Sequence, residues 1–136
     1  MTMRFVLDAS IAITWAMRDE DHPLADLAFL ELQSGSALVP GIFWYEIRNI
    51  LVLNERRSRI SPHDSTRFLR DLEQFSIDVD FPHNGTQIIE LARAYKLSVY
   101  DAAYLALAMN EQLPLATLDK DLKAAALAAG IPLLGL

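Results

Sequence analysis

The sequence RFVLDAS, at residues 4–10, decides how the rest of the chain is interpreted. Phe5, Val6 and Leu7 form an apolar run without alternation, which is typical of a strand covered on both faces. Asp8 ends this run, and a small residue and a hydroxyl follow it. Ligands of open parallel sheets bind just beyond the carboxyl ends of the strands. The end of this first predicted strand is therefore the first place to look for a functional site.

The length of 136 residues indicates a single domain over residues 1–136. The hydrophobic content of 52% supplies ample apolar material for one core. No charge-free apolar window reaches about 18 residues, so no membrane span is expected. Asp8 interrupts the N-terminal apolar run, which argues against a signal peptide, and we expect a cytoplasmic protein. The absence of cysteine excludes disulfides and thiolate metal sites. The net charge of -6 counts against binding of nucleic acid by bulk electrostatics, but it is compatible with acids focused on a metal ion.

Predicted strands and helices alternate along the chain. The strands are expected at residues 3–8, 37–39, 77–81, 115–117 and 131–134. The helices are expected at residues 10–17, 23–33, 42–57, 62–75, 84–96, 98–112 and 120–129, with a polar loop at 18–22. This order predicts an α/β fold with three layers, α/β/α, around a mainly parallel central sheet.

Glu46 is the most informative acid, because a helical wheel places it in the middle of the apolar stripe of its helix. The neighbours of Glu46 on that stripe are Ile42, Phe43, Ile50 and Leu53. A buried unpaired carboxylate costs several kcal/mol and is rarely kept without a partner. Either the side chain reaches the rim of the core or an arginine, or the helix aims it into a shared acidic site.

Three further acids have ordinary structural explanations. Ser98 and Asp101 have the spacing of a capping box, and Asp119 suits the N-cap of the last helix. Asp121 is expected to face solvent in the first turn of that helix, or to act as a secondary ligand.

The positions of these acids along the chain bring them to one place. Asp8 and Asp119 follow strands, whereas Asp101 opens a helix and Glu46 lies one turn into a helix that follows a strand. In a right-handed βαβ arrangement these points share one edge of the sheet. Four carboxylates there repel one another unless they share a hard divalent cation such as Mg²⁺ or Mn²⁺. Such ions activate water for phosphodiester cleavage.

Other kinds of site fit less well. The chain has no Ser-His-Asp or Cys-His pattern and no glycine-rich phosphate loop. A phosphorelay receiver would need paired acids after the first strand, whereas Ala9 and Ser10 follow Asp8 here. A binding module without catalysis is the main alternative, and four converging carboxylates argue against it.

Four segments together resemble a known family. They are VLDAS at 6–10, Pro40 with EIRN at 46–49, YDAAYLALA at 100–108, and TLD at 117–119. In this order they resemble a PIN domain, and more narrowly the VapC-type toxins of bacterial and archaeal toxin–antitoxin pairs. The resemblance extends from residue 4 to the C-terminus.

The resemblance implies a metal-dependent endoribonuclease that uses Mg²⁺ or Mn²⁺ and cleaves RNA. It also implies a cognate antitoxin that blocks the site, and a toxin homodimer. The implied catalytic and metal-binding acids are Asp8, Glu46, Asp101 and Asp119. In supporting roles, Ser10 would hold a water on the metal or a phosphate, Thr117 would orient Asp119, and Asn49 would support Glu46 by a hydrogen bond.

A basic cluster follows the helix that carries Glu46. Arg56, Arg57 and Arg59 either form a solvated helix end, where arginines suit the helix dipole, or contact the phosphates of an RNA.

Overall fold

The computed structural model of the chain describes residues 3–17, 22–80 and 84–136. Within these residues the strands are β1 (Arg4–Leu7), β2 (Ser36–Pro40), β3 (Ile77–Asp80) and β4 (Leu115–Ala116). They form one sheet in the order β3-β2-β1-β4, and each neighbouring pair is parallel. The predicted parallel sheet is confirmed, and β1 lies in its interior.

The helices begin and end close to the predicted positions. They are α1 (Ala9–Ala12), α2 (Pro23–Ser34), α3 (Phe43–Arg56), α4 (Pro62–Leu72), α5 (Gly85–Tyr95), α6 (Val99–Glu111) and α7 (Lys120–Ala128). Caps explain several of these starts, because the side chains of Ser61, Asn84 and Ser98 each accept the backbone N–H three residues further on. No helix among the described residues is long and apolar enough to cross a membrane.

Two predicted elements differ from the structure. The first helix begins at Ala9 rather than Ser10, and it passes into a 3₁₀ turn over Ile13–Trp15. The strand predicted at 131–134 is wrong, since Leu133 forms an isolated bridge to Leu115 and no strand. A proline at 132 has no N–H to give to a ladder, and glycines with positive φ at 130 and 135 turn the chain on either side.

Two predictions fall wholly or partly outside the described residues. Most of the polar loop predicted at 18–22 lies there, and so does Phe81 at the end of the third predicted strand.

The core forms around β1. Phe5, Val6 and Leu7 are each fully buried, and since successive strand residues point to opposite faces, both faces of the sheet are covered. Helix α6 packs across β2, β1 and β4, whereas α2 packs against β2 and α1. The three-layer prediction is therefore confirmed. This arrangement places the ends of β1 and β4 and the starts of α3, α6 and α7 near one edge of the sheet.

Gly35 permits a close backbone approach that holds β1 beside β2. A Cβ at this position would collide with the backbone carbonyl oxygen of Met3, which also accepts the N–H of Ser36 at 3.1 Å. We expect Gly35→Ala to lower the free energy of unfolding by about 1–3 kcal/mol, the usual cost of overpacking. The measurement is urea denaturation.

Gly85→Ala is the matched control, because a Cβ there meets nothing within 4 Å. It should change the stability by no more than about 0.5 kcal/mol. Equal stability of the two variants would contradict this account of the junction between β1 and β2.

Candidate acidic site

Asp8, Glu46, Asp101 and Asp119 lie at one edge of the sheet, the acidic edge, and Asp8 is the most deeply buried of them. Its backbone N–H donates to the carbonyl of Ala116 at 3.0 Å, which continues the pairing of β1 with β4. Its side chain is buried, and Oδ2 accepts two hydrogen bonds, from Ser10 Oγ at 2.6 Å and from Thr117 Oγ1 at 2.7 Å. One carboxylate oxygen therefore joins the turn after β1 to the segment after β4.

The two hydroxyls also hold the backbone after β4. Ser10 Oγ accepts the N–H of Leu118 at 3.0 Å, and Thr117 Oγ1 accepts the N–H of Asp119 at 3.0 Å. Thr117 therefore fixes the backbone of Asp119. Ser10 is expected to hold a water on the metal or a phosphate, and its hydroxyl contacts Asp8 and the backbone of Leu118.

Asp119 also caps the start of α7. Its Oδ2 accepts the N–H of Leu122 at 2.8 Å, so the N-cap interpretation is correct. The side chain remains half-buried, beside the floor formed by Asp8. Asp119 can therefore cap α7 and still belong to the acidic edge.

Glu46 lies at the border of the buried face of α3, not in its middle. The centre of that face is formed by Phe43, Ile47 and Leu51, and Glu46 is half-buried beside them. The helical wheel misplaced it because a sequence pattern does not show which part of an apolar stripe faces the core and which part reaches its rim.

A hydroxyl that sequence reasoning missed holds the Glu46 side chain. The fully buried Tyr104 donates from its hydroxyl to Glu46 Oε1 at 2.7 Å. Asn49, the expected partner, is exposed and makes no hydrogen bond to Glu46 in the described part of the chain. The sequence did contain a signal for this contact, since Tyr104 places a polar phenol three residues after Asp101, among apolar residues of α6.

Asp101 lies in the first turn of α6, where its backbone N–H donates to Ser98 Oγ at 3.0 Å. The predicted capping arrangement is thus present, and the carboxylate is left half-buried. Asp121 is exposed in the first turn of α7, as one of its two interpretations expected.

The pKa values show that these carboxylates act on one another. Burial raises the pKa of Asp8 most, and the charge of Asp119 adds to it, while the Ser10 and Thr117 hydroxyls oppose the shift. Burial also raises the pKa of Glu46, against the Tyr104 hydrogen bond and together with the charges of Asp8 and Asp101.

The pKa of Asp101 is raised in the same way, by burial first and then by the charges of Asp119 and Asp8, with a smaller contribution from Asp121. The structure therefore brings Asp8, Glu46, Asp101 and Asp119 within electrostatic reach of one another at one edge of the sheet.

The donor set suits a hard divalent cation. Carboxylate and hydroxyl oxygens are the ligands that Mg²⁺ and Mn²⁺ prefer, and a shared cation would offset the charge repulsion that adds to the effect of burial on these pKa values. Across residues 3–17, 22–80 and 84–136, however, no group of three or more acidic, histidine or cysteine side chains stands in an arrangement that could hold a metal ion. The chemistry of the ligands fits, while the side chains are not drawn together.

A groove of about 400 Å³ has walls from the segment after β2 that leads into α3, from Asn84 and Ile88 at the start of α5, and from α6. On α6 its lining runs from Val99 and Tyr100 in the first turn to Asn110 near the last. None of the four acids lines this groove. Tyr100 is 59% exposed, so an aromatic face lies open next to Asp101.

The arginine cluster lies at the other end of α3 from Glu46. Arg56 is ten residues further along the helix, which corresponds to about 15 Å. Arg56, Arg57 and Arg59 are exposed, and Arg59 Nη1 donates to Asn54 Oδ1 at 3.1 Å. The cluster is therefore separate from the acidic edge.

The raised pKa of Glu46 predicts a pH-dependent cost of stability in the metal-free protein. Because the folded state holds this proton more tightly than the unfolded state, the cost is absent below the ordinary pKa of 4.5 and is complete above the raised value. Glu46→Gln should therefore be more stable than the wild type at pH 7, by about 1 kcal/mol or less, because Glu46 is only half-buried and water screens its charge. The measurement is chemical denaturation in EDTA at several pH values.

The difference between the two proteins should shrink as the pH falls towards 4.5. Glu90→Gln serves as the control, since Glu90 lies on the exposed face of α5. A Glu46→Gln protein that is less stable than the wild type at pH 7 would contradict the proposed repulsion.

Comparison with known proteins agrees with the fold. The pattern that defines the PIN domain family matches residues 5–127. Ribonuclease VapC3 of Pyrobaculum aerophilum is 29% identical over 124 residues, which cover 88% of this chain and 92% of that protein.

Two solved structures share the fold. The crystal structure of PAE2754 from Pyrobaculum aerophilum has a TM-score of 0.72 at 23% identity, and the match covers 92% of this chain and 87% of that one. A toxin–antitoxin complex from Klebsiella pneumoniae has a TM-score of 0.57 at 22% identity, and the match covers 82% of each chain. The family match spans most of the sequence, and on this ground the chain belongs to the PIN domain family.

Proposed function

We propose that this protein is a metal-dependent endoribonuclease and the toxin of a toxin–antitoxin pair. The observation that carries the proposal is the set of four mutually interacting carboxylates at one sheet edge, with the buried Asp8 as its floor. The similarity to a curated ribonuclease and to a chain of a toxin–antitoxin complex supports it. A fold that needed only stability would not keep repelling acids together.

The proposed catalytic residues are Asp8, Glu46, Asp101 and Asp119, which would hold Mg²⁺ or Mn²⁺. When bound, the ion supplies Lewis-acid activation of water and offsets the charge that develops on the phosphate. The Ser10 and Thr117 hydroxyls favour the ionised form of Asp8, because each donates a hydrogen bond to the same carboxylate oxygen. Asp121 would act at most as a secondary ligand, since it is exposed at the border of the site.

Two surfaces are proposed to receive the RNA. The groove lined by the first turn of α6 has the volume of a small-ligand site and an exposed aromatic ring, Tyr100, which suits an unpaired base. Arg56, Arg57 and Arg59 would contact phosphates further along the same strand, at a distance that an extended RNA segment can cover. A protein with a net charge of -6 needs such local positive groups to bind RNA at all.

The proposed partners are a cognate antitoxin and a second copy of this chain. The structural similarity to a chain of a toxin–antitoxin complex supports the first. Exposed apolar side chains on α3, such as Tyr45 at 73% and Val52 at 41%, would suit either contact.

The nuclease proposal predicts metal-dependent cleavage of RNA that requires Asp8. With Mn²⁺ the purified protein should cut RNA internally, and EDTA should abolish the cleavage. Asp8→Asn should lower the rate by about 100-fold or more, the range typical of a lost group that helps to activate the attacking water. The measurement is the time course of cleavage of a labelled RNA, resolved on a gel.

Glu111→Gln is the control, because it removes an exposed carboxylate from the opposite end of α6 from Asp101 and should cleave like the wild type. Cleavage that resists EDTA, or an Asp8→Asn protein of full activity, would reject the proposal. RNA binding without cleavage would favour the alternative, a non-catalytic PIN-like module that acts by binding protein or RNA.

A further inference from the structure

Among the described residues, the Tyr104 hydroxyl is the one that donates a hydrogen bond to Glu46, and the packing of the core does not require this hydroxyl. The ring is 0% exposed and is among the largest fully buried side chains of the core. Phenylalanine would fill almost the same volume without a polar atom. The retained hydroxyl therefore points to a role beyond packing.

The position of Tyr104 links two of the proposed ligands. Asp101 and Tyr104 lie three residues apart, so they occupy the same face of α6. Asp101 supplies a carboxylate of its own, while the Tyr104 hydroxyl reaches across to α3 and donates to Glu46 Oε1 at 2.7 Å. Helix α6 thus provides Asp101 and, through Tyr104, holds Glu46.

Glu46 needs such a restraint. It is half-buried at the border of the apolar face of α3, and the negative charges of Asp8 and Asp101 repel it. Without a donor on the inner side, the carboxylate would gain by turning out to water. The described residues offer it no salt bridge and no hydrogen bond from Asn49.

We infer that Tyr104 is a positioning residue, whose hydroxyl holds the Glu46 carboxylate inward and so sets the affinity of the acidic site for a divalent cation. This inference rests on the proposed function, since it assumes that Glu46 is a metal ligand. Partners that orient metal ligands commonly change metal affinity when they are replaced.

The test measures Mn²⁺ binding to the purified chain by isothermal titration calorimetry, independently of any RNA cleavage. Tyr104→Phe should weaken Mn²⁺ binding by about 10-fold or more. Tyr95→Phe removes the same hydroxyl from α5, where it makes no hydrogen bond among the described residues, and should leave the affinity unchanged. Phenylalanine keeps the ring and removes only the hydroxyl, so Tyr104→Phe should keep the fold, and its circular dichroism spectrum should match that of the wild type.

A double-mutant cycle separates positioning from a general structural effect. In the Glu46→Gln background, Tyr104→Phe should change Mn²⁺ affinity by less than about 2-fold, because the carboxylate on which it acts is gone. Wild-type affinity in Tyr104→Phe, or an equal loss in both backgrounds, would overturn the inference while leaving the metal site intact. A wild-type protein that binds no Mn²⁺ would instead reject the proposed function itself.

Discussion

Two hydroxyls donate to a single oxygen of the buried Asp8 carboxylate, and the geometry of the acidic edge depends on this contact. Ser10 lies just after β1 and Thr117 just after β4, so their bonds to Asp8 tie together two strands that are distant in sequence. Because both hydroxyls also accept backbone N–H groups, the same few atoms fix the chain up to Asp119. Loss of this contact would leave a buried charge without partners, at a cost of several kcal/mol.

The acids at this edge lower the stability of the metal-free fold. Burial and mutual repulsion raise the pKa of Asp8, Glu46 and Asp101, so the ionised acids weaken the metal-free fold near neutral pH. The hydrogen bonds of Ser10, Thr117 and Tyr104 offset part of this cost. In the proposed function a bound cation would offset the rest of this cost, and a loss of stability at a functional site is common.

The sequence was sufficient for the layers of the fold, because the uninterrupted apolar run of β1 and the side-chain caps at Ser61 and Ser98 are local signals. It also sufficed to bring the acids to one edge, since strand ends and helix starts meet there in any parallel α/β sheet. It failed at residues 131–134, where a proline and two glycines with positive φ prevent the predicted strand. It also failed to show that Tyr104 rather than Asn49 holds Glu46, because only the folded chain shows how close α6 comes to α3.

The central claim is that Asp8, Glu46, Asp101 and Asp119 form one shared cation site. The most direct test is a titration of the ¹⁵N-labelled protein with Mn²⁺, followed by the paramagnetic loss of backbone amide signals in NMR spectra. The account predicts that signals next to all four acids disappear together over a single range of Mn²⁺ concentration, while those around the exposed Asp64 and Asp71 persist. Loss confined to exposed acids, with the amides of Ala9 and Ser10 unaffected, would contradict it.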